Sequence, residues 1–311
     1  MLAIHLLLGA ASASTSPPGQ GDWTIESYED VHISSQTLVQ GDLIIHGSLT
    51  IDSGSLSVQG SSNGQRTIEV KDGGSLSIYN GTSVRSYTST CYNIVVDNDG
   101  TMVVDGAGIE DTCEIEVFDA TLFSLIDADI DNTYLKLDPG SIQVGSTPNI
   151  VMDGVSFSGC ASWIDEGAII HLDNADEYDP APGGTLEFEA DLVLENLEFD
   201  STCEYQSLIA MDSNWKQDVE VLGLEFDGGF MGGEKGMQEW AWPAFLVEGG
   251  SGYSNGLTVR NATLQNANHV ILNGGDSGAG FALLDNVTAT NLRNVTGYDD
   301  EACEYYYNSH Y

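Results

Sequence analysis

Basic residues are almost missing from this chain. Its 311 residues include 8 Lys and Arg against 48 Asp and Glu, a formal charge of −40. That imbalance excludes nucleic acids and anionic membranes as partners, because each needs a basic patch to displace condensed counterions. Polyanionic sugars are disfavoured too, unless divalent cations bridge the two. No stretch of 18 or more continuous apolar residues occurs, so no membrane span is expected in this chain. There is no Gly-x-Ser-x-Gly elbow, P-loop or dinucleotide fingerprint, and no amphipathic helical pattern of useful length. The five cysteines show no CxxC or paired-His spacing that would suit zinc.

What the chain does have is glycine, 36 residues of it, with a normal 41% of hydrophobic residues. The first number favours many turns; the second allows a real core. A surface so rich in carboxylates and so poor in lysine suits high salt, where screening over a few Å removes most self-repulsion. Plain solubilisation of a secreted protein is the other reading.

The start, "MLAIHLLLGAASASTSPPGQG", reads as a secretory signal over residues 1–13 followed by a linker over 14–23. Leu2 to Leu8 form a short apolar region and Ala11-Ser12-Ala13 a small-x-small cleavage site, although the usual basic n-region is missing. Four sequons begin at Asn80, Asn261, Asn286 and Asn294. With the leader and the cysteines they point to an exported, oxidised, N-glycosylated chain.

"DLVLENLEFDST" (191–202) returns in altered form as "DVEVLGLEFDGG" (218–229). Two apolar beats, a small or amide residue, then two more beats recur around Asn80, Gly106, Asp127, Gly154, Asn196, Gly223, Asn261 and Asn286. Apolar residues precede most of these corners by four and two places and follow by one and three. Gly223 has Val219, Val221, Leu224 and Phe226; Asn80 keeps Leu76 and Ile78 but slips a place afterwards, to Val84. Period-two alternation makes a strand with one buried face. The odd step at the corner would turn the next apolar set outward unless the chain bends there, and Gly, Asn and Asp make such bends cheaply. Corners follow one another by 26, 21, 27, 42, 27, 38 and 25 residues. Five of these steps suit one solenoid turn, and the two long ones carry insertions. The expected fold is all-β: a right-handed parallel β-helix over residues 24–297, a single-chain solenoid with two loop insertions. Residues 298–311 form a tail or the start of a further, truncated coil.

"GSLTIDSGSLSVQG" and "LTVRNATLQN" carry a resemblance to right-handed parallel β-helix proteins of the pectin-lyase-like type. The chain is especially similar to large acidic surface or secreted β-helix proteins of archaea, over roughly residues 30–295. Many such proteins are polysaccharide lyases or glycoside hydrolases. A lyase needs an Arg or Lys base with cations beside a uronate carboxylate. Here Arg66, Arg85, Arg260 and Arg293 are scattered, and Arg260 and Arg293 read as lone charges beside sequons. The hydrolase pattern of clustered aspartates with Gly-His-Gly and Arg-x-Lys elements does not occur. His46, His171 and His269 lie in or beside apolar strands and read as packed or edge imidazoles.

Cysteine spacing is an independent check. Cys113, Cys160 and Cys203 follow their corners by seven, six and seven residues, and Cys91 precedes Cys113 by 22, about one turn. Bridges Cys91–Cys113 and Cys160–Cys203 are expected, each clamping neighbouring coils. Cys303 is left over.

Two insertions supply candidate sites. "DNADEYDPAPGG" (173–184) offers Asp173, Asp176, Glu177 and Asp179 as Ca²⁺ ligands, or a merely solvated acidic loop. Asp97–Gly100 and the Asp127, Asp129, Asp131 series are similar but weaker, the latter an outward row opposite Ala128 and Ile130. "GFMGGEKGMQEWAWPA" (228–243) places Trp240 and Trp242 at period two, able to stack on a sugar with Phe230 and Glu239 or to fold back on the solenoid flank. The reading that follows is a non-catalytic, extracellular structural or adhesive scaffold, with glycans or other surface proteins as partners and no cofactor beyond Ca²⁺. The rival is a carbohydrate-active enzyme or carbohydrate-binding module working through the 228–243 loop.

Overall fold

The computed structural model describes residues 16–97, 99–118, 120–137, 150–158, 168–172, 192–200, 207–211, 219–227, 245–247, 256–265, 269–273, 281–290 and 294–298. Within them every regular element is a β-strand, 31 in all, grouped in three sheets of eleven, ten and ten strands. Alternating apolar residues cut every few positions by Gly, Asn or Asp allow nothing longer.

The order of pairing defines the architecture. Strands β1 (Trp23–Ile25), β2 (Asp30–Ile33) and β3 (Gln36–Val39) start one sheet each. The next three, β4 (Leu43–Ile45), β5 (Ser48–Ile51) and β6 (Ser55–Val58), lie parallel beside β1, β2 and β3 in turn. The rule that each strand pairs with the third one on holds through to the last described strand, Asn294–Tyr298. This is a parallel β-solenoid with three strands per coil. The corner motif had exposed two of the three strands; the first-sheet strand carries no such motif and adds the third.

The interior is built from in-register stacks. Leu49, Leu76, Met102 and Phe123 pile one above another in the second sheet, each fully buried. Farther along, Leu194, Val221 and Val259 stack in the same way. Each such side chain contributes about 1.5–3 kcal/mol through removal from water.

All eight corners have the left-handed backbone that the odd step requires, with φ between 47° and 76°. Each turns the chain from the second sheet into the third. The N–H groups at the corners keep the ladder intact through the bend. That of Asp127 donates to Asp153 O (2.8 Å), that of Asn196 to Leu222 O (2.7 Å) and that of Gly223 to Arg260 O (2.9 Å). Side chains interlock as well: Asn196 Nδ2 donates to Asp153 Oδ1 (2.6 Å), and Asn286 Nδ2 to Asn261 Oδ1 (2.8 Å). The slip after Asn80 has a cause. Asn80 and Gly81 both have positive φ (60° and 69°), so this corner takes two residues. Thr82 then fills the first inward place, its hydroxyl donating to Tyr79 O (2.7 Å).

A second corner column, between the third and first sheets, went unseen in the sequence. Asp111 and Asn132 have φ of 58° and 49°, and Asn132 Nδ2 donates to Asp111 Oδ1 (3.2 Å).

Candidate functional site

Both insertion-loop candidates fall outside the described residues: Asp173, Asp176, Glu177 and Asp179 on one, Phe230, Glu239, Trp240 and Trp242 on the other. So do Cys160, Cys203 and Cys303. The other expected bridge is present. Cys91 and Cys113 are joined, with Cα atoms 5.0 Å apart, across the pairing of strand Tyr92–Val96 with Thr112–Val117. It clamps adjacent coils of the first sheet and is compatible with an extracellular protein.

Three of the sequon residues, Asn80, Asn261 and Asn286, are exposed corner residues. Asn294 opens the last described strand. The acidic series at 127–131 divides its work: Asp127 is a corner, Asp129 faces outward, and the Asp131 carboxylate accepts from Ser158 Oγ (3.0 Å) and Asn132 Nδ2 (3.1 Å). Ala128 and Ile130 are buried opposite them. Among the described residues no group of three or more His, Cys, Asp or Glu side chains converges as a metal site would.

The basic residues are where sequence reasoning needs correction. Arg260 is no lone charge: its guanidinium lies 2.6 Å from Glu220 and 3.7 Å from Asp285, partners on neighbouring coils. Arg66 faces Asp42 (4.0 Å), Lys71 pairs with Glu69 (2.6 Å), and Lys136 with Glu116 (3.4 Å). The Glu69 contact is the main cause that raises the Lys71 pKa. Nearby, partial burial raises the Asp97 carboxyl, opposed by Lys71, and Asp97 Oδ1 is buried with no hydrogen-bond partner. His46 Nδ1 is 3.0 Å from Asp72 Oδ2 at the sheet edge, as expected of an edge imidazole.

One described cation is left with no carboxylate within 4.0 Å: Arg85. It projects from strand Ser83–Ser86 into a groove of roughly 570 Å³ on the outer face of the third sheet. Leu38 and Ser57 line one side, Glu110 and Asp111 the other, and Tyr87, 60% exposed, forms a wall. The volume falls in the range of small-ligand sites. A free guanidinium offers a fork of donors to paired oxygens, and the tyrosine ring offers a flat apolar face with a hydroxyl at its rim. Nothing local in the sequence marks this groove, because Leu38 and Glu110 meet only through the stacking of four coils.

No family model matches the chain, and comparison with curated proteins and with solved structures gives no match.

Proposed function

We propose that the chain is a right-handed solenoid of the pectin-lyase-like type, similar to acidic archaeal surface proteins, and acts as an exported, non-catalytic scaffold. Its role is to hold loops and glycans at fixed spacing on a stiff rod. The observation that carries this reading is the stacking of three parallel sheets, each strand paired with the third one on, in which each coil supports the next. Right-handedness is supported by the near-universal hand of parallel strand–crossover–strand connections. Export is supported by the leader-like start, the Cys91–Cys113 bridge and sequon asparagines on exposed corners. The acidic surface fits high salt.

The test is incubation with neutral and uronate polysaccharides, read as new reducing ends and as unsaturated products at 235 nm. Silence is the expected result; depolymerisation overturns the scaffold reading. Mass spectrometry of the exported protein checks Asn80, Asn261, Asn286 and Asn294 for glycans.

A second reading, a carbohydrate-binding module, is favoured by the Arg85–Tyr87 groove and joins the proposal for Trp240, Trp242, Phe230 and Glu239. A glycan array read with the native chain and with Arg85→Ala, Tyr87→Ala and Trp240→Ala variants separates the two locations. Calcium held by Asp173, Asp176, Glu177 and Asp179 is a further proposal, checked by the effect of a chelator on melting.

A further inference from the structure

Three of the sequons share one edge of the rod, the corner column between the second and third sheets, at Asn80, Asn261 and Asn286. A transferase acting on Asn-x-Thr must engage two groups, the primary amide as acceptor and the threonine hydroxyl that marks the motif. The three corners present these groups differently. At Asn80 the hydroxyl is closed off: Thr82 is buried, its Oγ1 2.7 Å from Tyr79 O and 3.3 Å from Ile51 O, while Asn80 Nδ2 reaches Asp52 O at 3.5 Å. At Asn286 the hydroxyl end is open, since Thr288 is exposed, but the amide is engaged: Nδ2 donates to Asn261 Oδ1 (2.8 Å). Asn261 has both groups free. Thr263 is exposed, and neither its hydroxyl nor Asn261 Nδ2 has a hydrogen-bond partner among the described residues.

The column accounts for the difference. Asn196 Nδ2 donates to the coil before, onto Asp153 Oδ1 (2.6 Å), a carboxylate. Asp153 precedes the corner Gly154 and pairs with Glu195 across the coils. The equivalent place beneath Asn261 belongs to Leu222, which pairs with Arg260 and precedes the corner Gly223. Leucine and glycine offer no side-chain oxygen, so the exposed Asn261 keeps a free nitrogen while its oxygen is held by Asn286.

We propose that Asn261 is the glycan acceptor of this edge, and that Asn80 and Asn286 remain structural corners once the chain has folded. This deepens the glycan-bearing scaffold reading and rests on it. Transfer joins Asn261 Nδ2 to the anomeric carbon of a lipid-linked sugar diphosphate. The bond from that carbon to the phosphate oxygen breaks, the lipid diphosphate leaves with the electron pair, and a base of the transferase takes one amide proton. The amide oxygen is untouched, so it still accepts from Asn286. A sugar on Asn286 would instead sit on the nitrogen that makes this bond.

The experiment is glycan transfer in vitro to the folded, unmodified full chain, with a purified oligosaccharyltransferase and lipid-linked chitobiose, occupancy being mapped by peptide mass spectrometry. Asn261 is expected to be occupied about 10-fold more than Asn80 or Asn286, where a hydrogen bond must first be broken. Synthetic peptides spanning residues 76–84, 257–265 and 282–290 are expected to be modified comparably, because the fold creates the preference. Thr263→Val, at an exposed strand position, is expected to abolish transfer to Asn261. Leu222→Asp rebuilds beneath Asn261 the acceptor that Asp153 gives Asn196, and is expected to reduce transfer about 10-fold. Thermal melts verify that both variants fold, and the site ratio in the native chain needs neither. Equal occupancy of Asn80 and Asn261, preference for Asn286, no transfer to the folded chain, or full transfer in folded Leu222→Asp overturns the proposal. An exported chain with no glycan at any sequon would sink the glycan-bearing reading instead, so the two failures are distinguishable.

Discussion

A Cβ built on Gly223 would lie 2.7 Å from Oδ1 of Asn196, the corner residue one coil earlier. Gly154 stands in the same relation to Asp127. In this part of the column a side chain on one coil rests over a glycine on the next, so glycine is required twice over, for its φ and for its missing Cβ. Gly106 is required once: its φ is 58°, but nothing lies within 4 Å of a Cβ there.

Alanine at these positions therefore has graded effects. Gly106→Ala is expected to cost about 1–2 kcal/mol, the usual penalty for a left-handed residue with a Cβ. Gly154→Ala and Gly223→Ala cost that plus the displacement of the Asp127 or Asn196 side chain, about 1 kcal/mol more on the scale of overpacking. Urea unfolding of the three variants checks the order, and a Gly106→Ala loss equal to the others would refute the interlock.

The Cys91–Cys113 bridge closes a loop of 22 residues. Its removal by Cys113→Ser is expected to cost about 3 kcal/mol, on a chain-entropy account. Peptide mapping under non-reducing conditions should recover the Cys91–Cys113 pair, and the same map answers whether Cys160 and Cys203 are joined.

Tyr92 is buried in the core, its hydroxyl donating to Val84 O at 3.1 Å. Burial, with smaller contributions from Asp111 and Glu110, pushes its pKa well above the ordinary 10.0. A raised folded value means the neutral phenol is the form that folding favours. Its contribution is thus complete below about pH 10 and declines as pH rises above that, because the unfolded chain releases this proton first. Spectrophotometric titration at 295 nm should show Tyr92 ionising only with unfolding, and Tyr92→Phe should reduce the amplitude of that step by one tyrosine. The loss of the hydrogen bond costs about 1 kcal/mol at neutral pH.

Net charge sets the response to salt. Melting temperature is expected to rise by several degrees between 0.1 M and 2 M NaCl, as self-repulsion among 48 acidic residues is screened. A flat dependence would leave the acidic surface without this rationale.

The corners were legible because their chemistry is local. An odd step in a period-two pattern has one solution, and Asn, Asp and Gly announce it at all eight positions. The third strand of each coil was less visible, since segments such as Leu43–Ile45 are short and no motif resolves them from the turns around them. Arg260 looked solitary because Glu220 is 40 residues away and becomes its neighbour only once the register is fixed. The Arg85 groove was hidden for the same reason. Each is a property of positions one coil apart, and coil length varies too much for the eye to align them.

At every corner from Gly106 to Asn261 the amide hydrogen points to the coil that follows and never to the one before. The amides two places further on, at Gly108, Asp129, Ser156 and Glu225, return their bonds to the coil before, so each of these corners ties its coil to both neighbours at once.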